Sequence, residues 1–217
     1  MNLYWLSSLL ILITNTLLSV FLLSKSKDSK ISRLWGCVCI TALIWGVGGM
    51  MYSHAPFNDP KTALFWWKIS YISVIFTPIF YSHFVFSLLK IKRKFFLTTI
   101  YLLGAVSLFL VWYKDSCFFL KGVRFVFDEF YWVDPLKEFN PVFLIFYFGF
   151  FWVLLGYCFF LLIIAYKNSK GLVRDQLKYF IFGSLIGWLG PEGDFLVAFK
   201  IDIYPFTNFL IALYPVI

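Results

Sequence analysis

Charge is what this chain has least of. Only 14% of its 217 residues are Asp, Glu, Lys or Arg, while 61% are hydrophobic and 24% aromatic. The mean hydropathy is accordingly high, at +0.83. A soluble domain carries about 25% charged residues and coats itself with them. This chain is long enough for one or two soluble domains but lacks the polar residues to cover them, so its apolar surface must face lipid. Catalytic patterns are missing too: there is no Gly-rich phosphate loop, no HExxH, no GxSxG and no CxxC. Neither an enzyme, a cofactor nor a metal site is therefore expected. The four cysteines form no disulfide framework. Cys37 and Cys39 share an apolar run on different helix faces, Cys158 lies in another, and Cys117 stands alone in a loop. No basic segment precedes the first apolar run, which marks a membrane span rather than a cleavable signal.

What the sequence does contain is a series of long apolar runs. About 20 apolar residues cross a hydrocarbon core of about 30 Å. Runs of that kind lie near 3–24, 34–53, 62–89, 95–113, 140–166, 179–199 and 203–217. The expected fold is an all-α membrane protein, a seven-transmembrane helical bundle spanning 1–217 as one domain. The last run is shorter than a full span, so the chain is expected to stop inside helix seven.

The connecting loops predict an orientation. Lys25, Lys27, Lys30 and Arg33 follow helix one; Lys90, Lys92, Arg93 and Lys94 follow helix three; Lys167, Lys170, Arg174 and Lys178 follow helix five. These are 12 of the 19 basic residues, with only Asp28 and Asp175 as acidic companions. The alternate loops and their flanks hold 9 of the 11 acidic residues. Excess Lys and Arg mark the cytoplasmic side, which places the N-terminus outside and the C-terminal end in the cytoplasm. The net charge of +8 then reports topology and contact with anionic headgroups, and nucleic acid is not an expected partner.

The longest loop, 114–139, would lie on the outer surface. Within it, residues 122–135 partly alternate β-branched or aromatic residues with charged ones. That pattern fits a short hairpin capping the bundle, or equally an interfacial segment whose aromatic rings sit at headgroup depth.

Ionisable groups inside spans are costly and so are candidates for function. Lys68 lies near the outer end of helix three, where its stem can snorkel to the interface. His83 is a polar intramembrane residue with no His or Cys partner nearby in sequence, which suits a packing role better than a metal or proton ligand. Helix six carries the sharper signal. Pro191 removes a backbone donor between Gly190 and Gly193, so the helix is expected to break there and line a cavity. Glu192 and Asp194 flank the break. Asn208, after Pro205, would sit at similar depth in helix seven, and Trp45 and Trp66 would supply flat walls. These five residues form a candidate ligand pocket for a cationic or polar aromatic molecule. The alternative is a helix that ends near Gly190 and leaves both carboxylates in a solvated loop.

Several patterns along the chain carry a family resemblance. They are Ser24-Lys25-Ser26-Lys27, Ala42-Leu43-Ile44-Trp45, Phe65-Trp66-Trp67-Lys68-Ile69-Ser70 and His83-Phe84-Val85-Phe86. Arg174-Asp175-Gln176-Leu177-Lys178-Tyr179 and Ile203-Tyr204-Pro205 with Asn208 complete the set. Together they resemble the N-terminal seven-transmembrane region of bacterial sensor histidine kinases. The resemblance implies a bacterial cytoplasmic (inner) membrane protein and a sensory input bundle. It also implies a cytoplasmic signalling domain as partner, in cis or trans: a PAS, histidine-kinase or diguanylate-cyclase module. Pro191-Glu192-Gly193-Asp194 departs from that pattern, so the pocket reading rests on this chain's own residues.

The resulting expectation is a membrane-embedded input domain for a small ligand or a membrane state. Its partners would be lipids and an unknown small ligand, and a homodimer is one assembly it admits. The alternative is a small-solute permease or channel-like protein. Against it, the sequence lacks two similar halves with paired broken helices. Helix seven has no lysine to hold a retinal Schiff base.

Overall fold

The computed structural model describes residues 2–24, 29–113, 122–134 and 141–213. Helices form wherever an apolar run is long enough, and they end where the sequence supplies a stop. α1 is Leu3–Ser24 and α2 is Lys30–Ser53, the latter capped by the Ser29 hydroxyl, which accepts from the Ser32 N–H. α3, Pro60–Leu88, starts with Asp59 accepting from the Thr62 N–H and with a proline in its first turn. Both are favoured N-terminal choices, because they meet or dispense with backbone donors that have no partner inside the helix. α4 is Lys94–Trp112. α5 runs from Pro141 to Asn168 and contains a π-helical stretch, Ile145–Trp152. α6 is Gly171–Ala198. A 3-10 turn, Phe206–Asn208, then leads into α7, Phe209–Leu213. α3 and α6 stop alike: Lys90 and Lys200 take left-handed backbone conformations, and the following N–H groups reach back to Phe86 O and Leu196 O.

Five helices, α1 to α5, are long and apolar enough to cross a membrane. α6 is as long as α5 but carries Glu192 and Asp194, and α7 is described for five residues. Helix six was expected to begin at 179. It begins at Gly171, because its first two turns, with Arg174 and Lys178, are helical though too polar for the bilayer core. Arg174 and Lys178 are thus helical residues, and the connection from α5 is short.

α2 lies between α1 and α3 and packs closely on both. Small residues make this approach possible, as is usual where lipid gives no hydrophobic drive to helix pairing. A Cβ on Gly46 would stand 2.9 Å from Leu12 N and 2.9 Å from Ser8 O. On the α3 side, Thr77 Oγ1 donates 2.8 Å to Thr41 Oγ1, pinning the two helices beside Pro78.

The outer segment left open between hairpin and interfacial strip is a hairpin. β1, Val123–Val126, pairs antiparallel with β2, Phe130–Val133. Every residue of β2 is buried. Burial of both strand faces explains the imperfect alternation in sequence. Trp67 Nε1 donates 3.1 Å to Tyr131 O, and Tyr131 donates its hydroxyl to Phe57 O. Trp132 is fully buried, edge-on to Trp67 at 4.9 Å. Arg124 fastens the other side, donating to Val197 O at 2.8 Å and to Asp202 Oδ1 at 2.8 Å. The bundle is therefore plugged at one end by aromatic residues, and the other end carries most of the described basic residues.

Candidate functional site

α6 does not break at Pro191. Proline removes one backbone donor, yet the helix continues to Ala198. Beside the proline, Thr207 stitches α6 to the start of α7. Its hydroxyl donates to Gly190 O at 2.8 Å and accepts from Gly193 N–H at 3.2 Å. A Cβ on Gly193 would collide with that hydroxyl, so the glycine is what lets α7 come so near. The expectation of a helix interrupted at membrane depth is thus corrected, and so is its alternative, a helix ending near Gly190.

Continuity of α6 decides where the two carboxylates go. Asp194 is buried, and neither of its side-chain oxygens has a hydrogen-bond partner among the described residues. Glu192, on another face, is half-buried; its Oε2 accepts from Tyr147 at 3.2 Å and its Oε1 has no partner. Tyr147 belongs to the π-helical stretch of α5. Such a stretch turns a side chain away from its α-helical direction and is frequent at functional sites. The two carboxylates face different neighbours: Glu192 meets Tyr147, and Asp194 lines the lobe with Trp67 and Trp132.

Asn208 is wholly buried and joins three helices. It donates from Nδ2 to Ser7 Oγ on α1 at 2.7 Å and accepts at Oδ1 from Trp45 Nε1 on α2 at 3.1 Å. Trp45 in turn forms part of the wall that faces Asp194. Trp66 does not. It is half-buried, and among the described ring contacts it meets Phe65. Trp67 takes the inward position, stacked on Tyr52 with ring centroids 4.1 Å apart. Spacing could have separated the two: Trp67, Ser70 and Val74 follow a 3-4 rhythm along the buried face of α3, and Trp66 is out of phase with it.

The chamber has two lobes that share Trp45, Val74 and Phe195. The larger lies at Pro191 between α2, α3, α5 and α6 and has a cavity volume of about 70 Å³. Its walls are apolar apart from Ser73 and Thr77. The smaller is bounded by Trp45, Trp67, Tyr71, Trp132 and Asp194, and holds little more than a water unless its walls move. Trp132 Nε1–H has no partner either. One aromatic lobe is therefore lined by a donor and a carboxylate that have no hydrogen-bond partner among the described residues. Buried polar groups left so cost about 1–3 kcal/mol each, more when charged. Sequence reasoning missed Trp67, Trp132, Thr207, Tyr147 and Ser7. For Trp132, Tyr147 and Ser7, nothing in the local pattern marks the position.

The two remaining intramembrane candidates lie elsewhere. His83 Nδ1 hydrogen-bonds Tyr101 Oη at 2.9 Å on the α3–α4 side. Lys68 sits over the Trp112 ring, 5.8 Å from its centroid. No group of three or more His, Cys, Asp or Glu among the described residues could hold a metal.

The described helices form an apolar bundle whose chamber lies under an aromatic plug. The chain belongs to the family described as the N-terminal 7TM region of histidine kinase, whose model matches residues 6–217. Searches of curated proteins and of solved structures each found no match.

Proposed function

We propose that this chain is a sensory input domain that binds a small ligand from the outer side through the Asp194 chamber. The signal passes along helix seven to a cytoplasmic effector, a histidine kinase or related module in cis or trans. The observation that carries this reading is the Asp194 carboxylate in an aromatic lobe, without a hydrogen-bond partner among the described residues. A cationic or donor-rich group would satisfy the carboxylate, tryptophan faces would add cation–π attraction, and the Trp132 N–H would take an acceptor on the same ligand. The apolar lobe beyond Phe195 would hold the rest of the molecule. Asn208 and Thr207 tie α7 to the chamber wall, so a ligand that fits one wall arrangement better shifts helix seven with it. The orientation with the N-terminus outside, in the bacterial cytoplasmic membrane, is part of this proposal and rests on the asymmetry of Lys and Arg.

The test is a tryptophan-fluorescence titration of the purified chain with a panel of small organic ammonium compounds. Saturable quenching should occur for some of them and be lost in Asp194→Asn, while Glu192→Gln, which faces other neighbours, weakens binding less. Equal quenching in the wild type and in Asp194→Asn would refute the site. Ligand flux through chain-containing vesicles would favour the permease reading instead.

A further inference from the structure

At the opposite end of the bundle from the hairpin, a second crevice opens between α2, α3 and α4. Lys30, His83, Lys94, Thr98 and Tyr101 supply its polar wall, Leu97 and Leu102 its apolar one, and no acidic residue lines it among the described residues. Neither lysine has a carboxylate partner among the described residues. The hydrogen bond between His83 and Tyr101 engages one ring nitrogen and fixes the imidazole on this wall.

What sets this crevice apart from a general scatter of basic residues is the order of side chains along α4. Lys94, Thr98, Leu102, Val106 and Phe109 recur at three- and four-residue steps, so they form one stripe on the helix. The stripe is cationic and polar at the crevice and apolar beyond it. Leu102, Val106 and Phe109 are 62%, 54% and 60% exposed, free to meet lipid. Read from end to end, the stripe matches the shape of a phospholipid: an anionic headgroup followed by acyl chain. A free phosphate would use only its first part.

We propose that the crevice is a binding site for one anionic phospholipid, with the phosphate held by Lys30, Lys94, Thr98 and Tyr101 and an acyl chain lying along α4 over Leu102, Val106 and Phe109. The site ties α4, which buries few of its own residues, to the α2–α3 pair through a lipid. Cationic pockets between helices on the basic face of a membrane protein are suited to such headgroups.

The experiment is native mass spectrometry of the full chain in detergent, titrated separately with phosphatidylglycerol and phosphatidylcholine of equal acyl composition. Phosphatidylglycerol should be retained preferentially at one tight site. Replacing Lys30→Gln and Lys94→Gln should weaken it about fivefold per lysine, while the Arg substitutions Lys30→Arg and Lys94→Arg preserve it. Lys92→Gln with Lys170→Gln removes equal charge elsewhere on the same face and should leave the tight site intact. Excess inorganic phosphate should not displace the lipid. Equal retention of the two lipids would overturn the proposal. So would an equal loss in the Lys92/Lys170 pair. Displacement by phosphate would point instead to a free-anion site and would also refute it.

Discussion

The indole of Trp45 and the amide of Asn208 meet in a buried hydrogen bond of 3.1 Å although 163 positions separate them in sequence. The same amide donates to Ser7, so α1, α2 and the start of α7 converge on one side chain. Water has no access to it, and the alternative to this contact is an unpaired indole N–H inside the bundle. Removing the amide therefore does more than remove one bond.

Asn208→Ala leaves Trp45 Nε1 without a partner, while Ser7 Oγ loses the amide donor but keeps its own bond to Tyr4 O. An unsatisfied buried group costs about 1–3 kcal/mol, and a loss of that size is the expected outcome in detergent denaturation. Trp45→Phe, which leaves only the Asn208 oxygen unpaired, should cost less through the hydrogen bond, and the double variant should cost less than the sum. Additive losses would show that the two side chains are not coupled.

The Thr207 stitch makes a second prediction. Thr207→Val keeps the shape but loses the bonds to Gly190 O and Gly193 N, costing about 1–2 kcal/mol. Gly193→Ala should be worse, since its new methyl group meets Thr207 directly. A Cβ on Gly156, also within a helix, would meet no neighbouring atom within 4 Å among the described residues. Gly156→Ala should therefore be neutral or stabilise by about 0.5–1 kcal/mol through helix propensity. Thermal denaturation in one detergent compares all three, and equal effects at Gly193 and Gly156 would remove the argument for close α6–α7 approach.

Arg124 holds the hairpin against α6. Arg124→Ala should raise amide exchange across Val123–Val133 well above the wild-type level, because Val197 O and the hairpin lose their shared contact. Asp202 is 61% exposed in its side chain, so its share of the ion pair is screened. Asp202→Asn should change exchange little. If the two variants loosen the hairpin alike, the ion pair and not the carbonyl contact is what anchors it.

How much of this was legible beforehand depended on whether a feature is local. The first five helices are apolar runs bounded by charged or capping residues, and length against the bilayer is enough to find them. The start of α6 was hidden because helix does not require apolar sequence outside the bilayer. The α6–α7 contact beside Pro191 was hidden for a different reason: Thr207 lies 14 positions from Gly193, and no local rule couples them. The hairpin pattern was ambiguous because β2 buries both faces, which erases the period-two signal. Asn208 stood out as an amide in an apolar run, whereas Trp66 was a one-residue phase error for Trp67. Asp194 was found for its charge at membrane depth; its missing partners were invisible until Trp132 closed over it.

Orientation yields the last prediction, and the folded chain sharpens it. All the described basic residues of the α2, α4 and α6 starts and of the α3 and α5 ends lie at one end of the bundle: Lys30, Arg33, Lys90, Lys92, Arg93, Lys94, Lys167, Lys170, Arg174 and Lys178. Asp175 is the one acidic residue described among them. The hairpin end carries Asp59, Asp128, Glu129, Asp134 and Asp202 against Lys61, Lys68, Arg124 and Lys200. Lys and Arg resist translocation, and the proposed orientation accordingly keeps the basic end in the cytoplasm and turns the hairpin end outward. In a background with the native cysteines changed to serine, Lys92→Cys and Lys170→Cys should resist an impermeant thiol reagent in intact cells and react after lysis. Asp128→Cys, on the hairpin turn, should react in intact cells. The reverse labelling would place the chamber's plug in the cytoplasm, and a ligand arriving from outside could then not reach Asp194 through it.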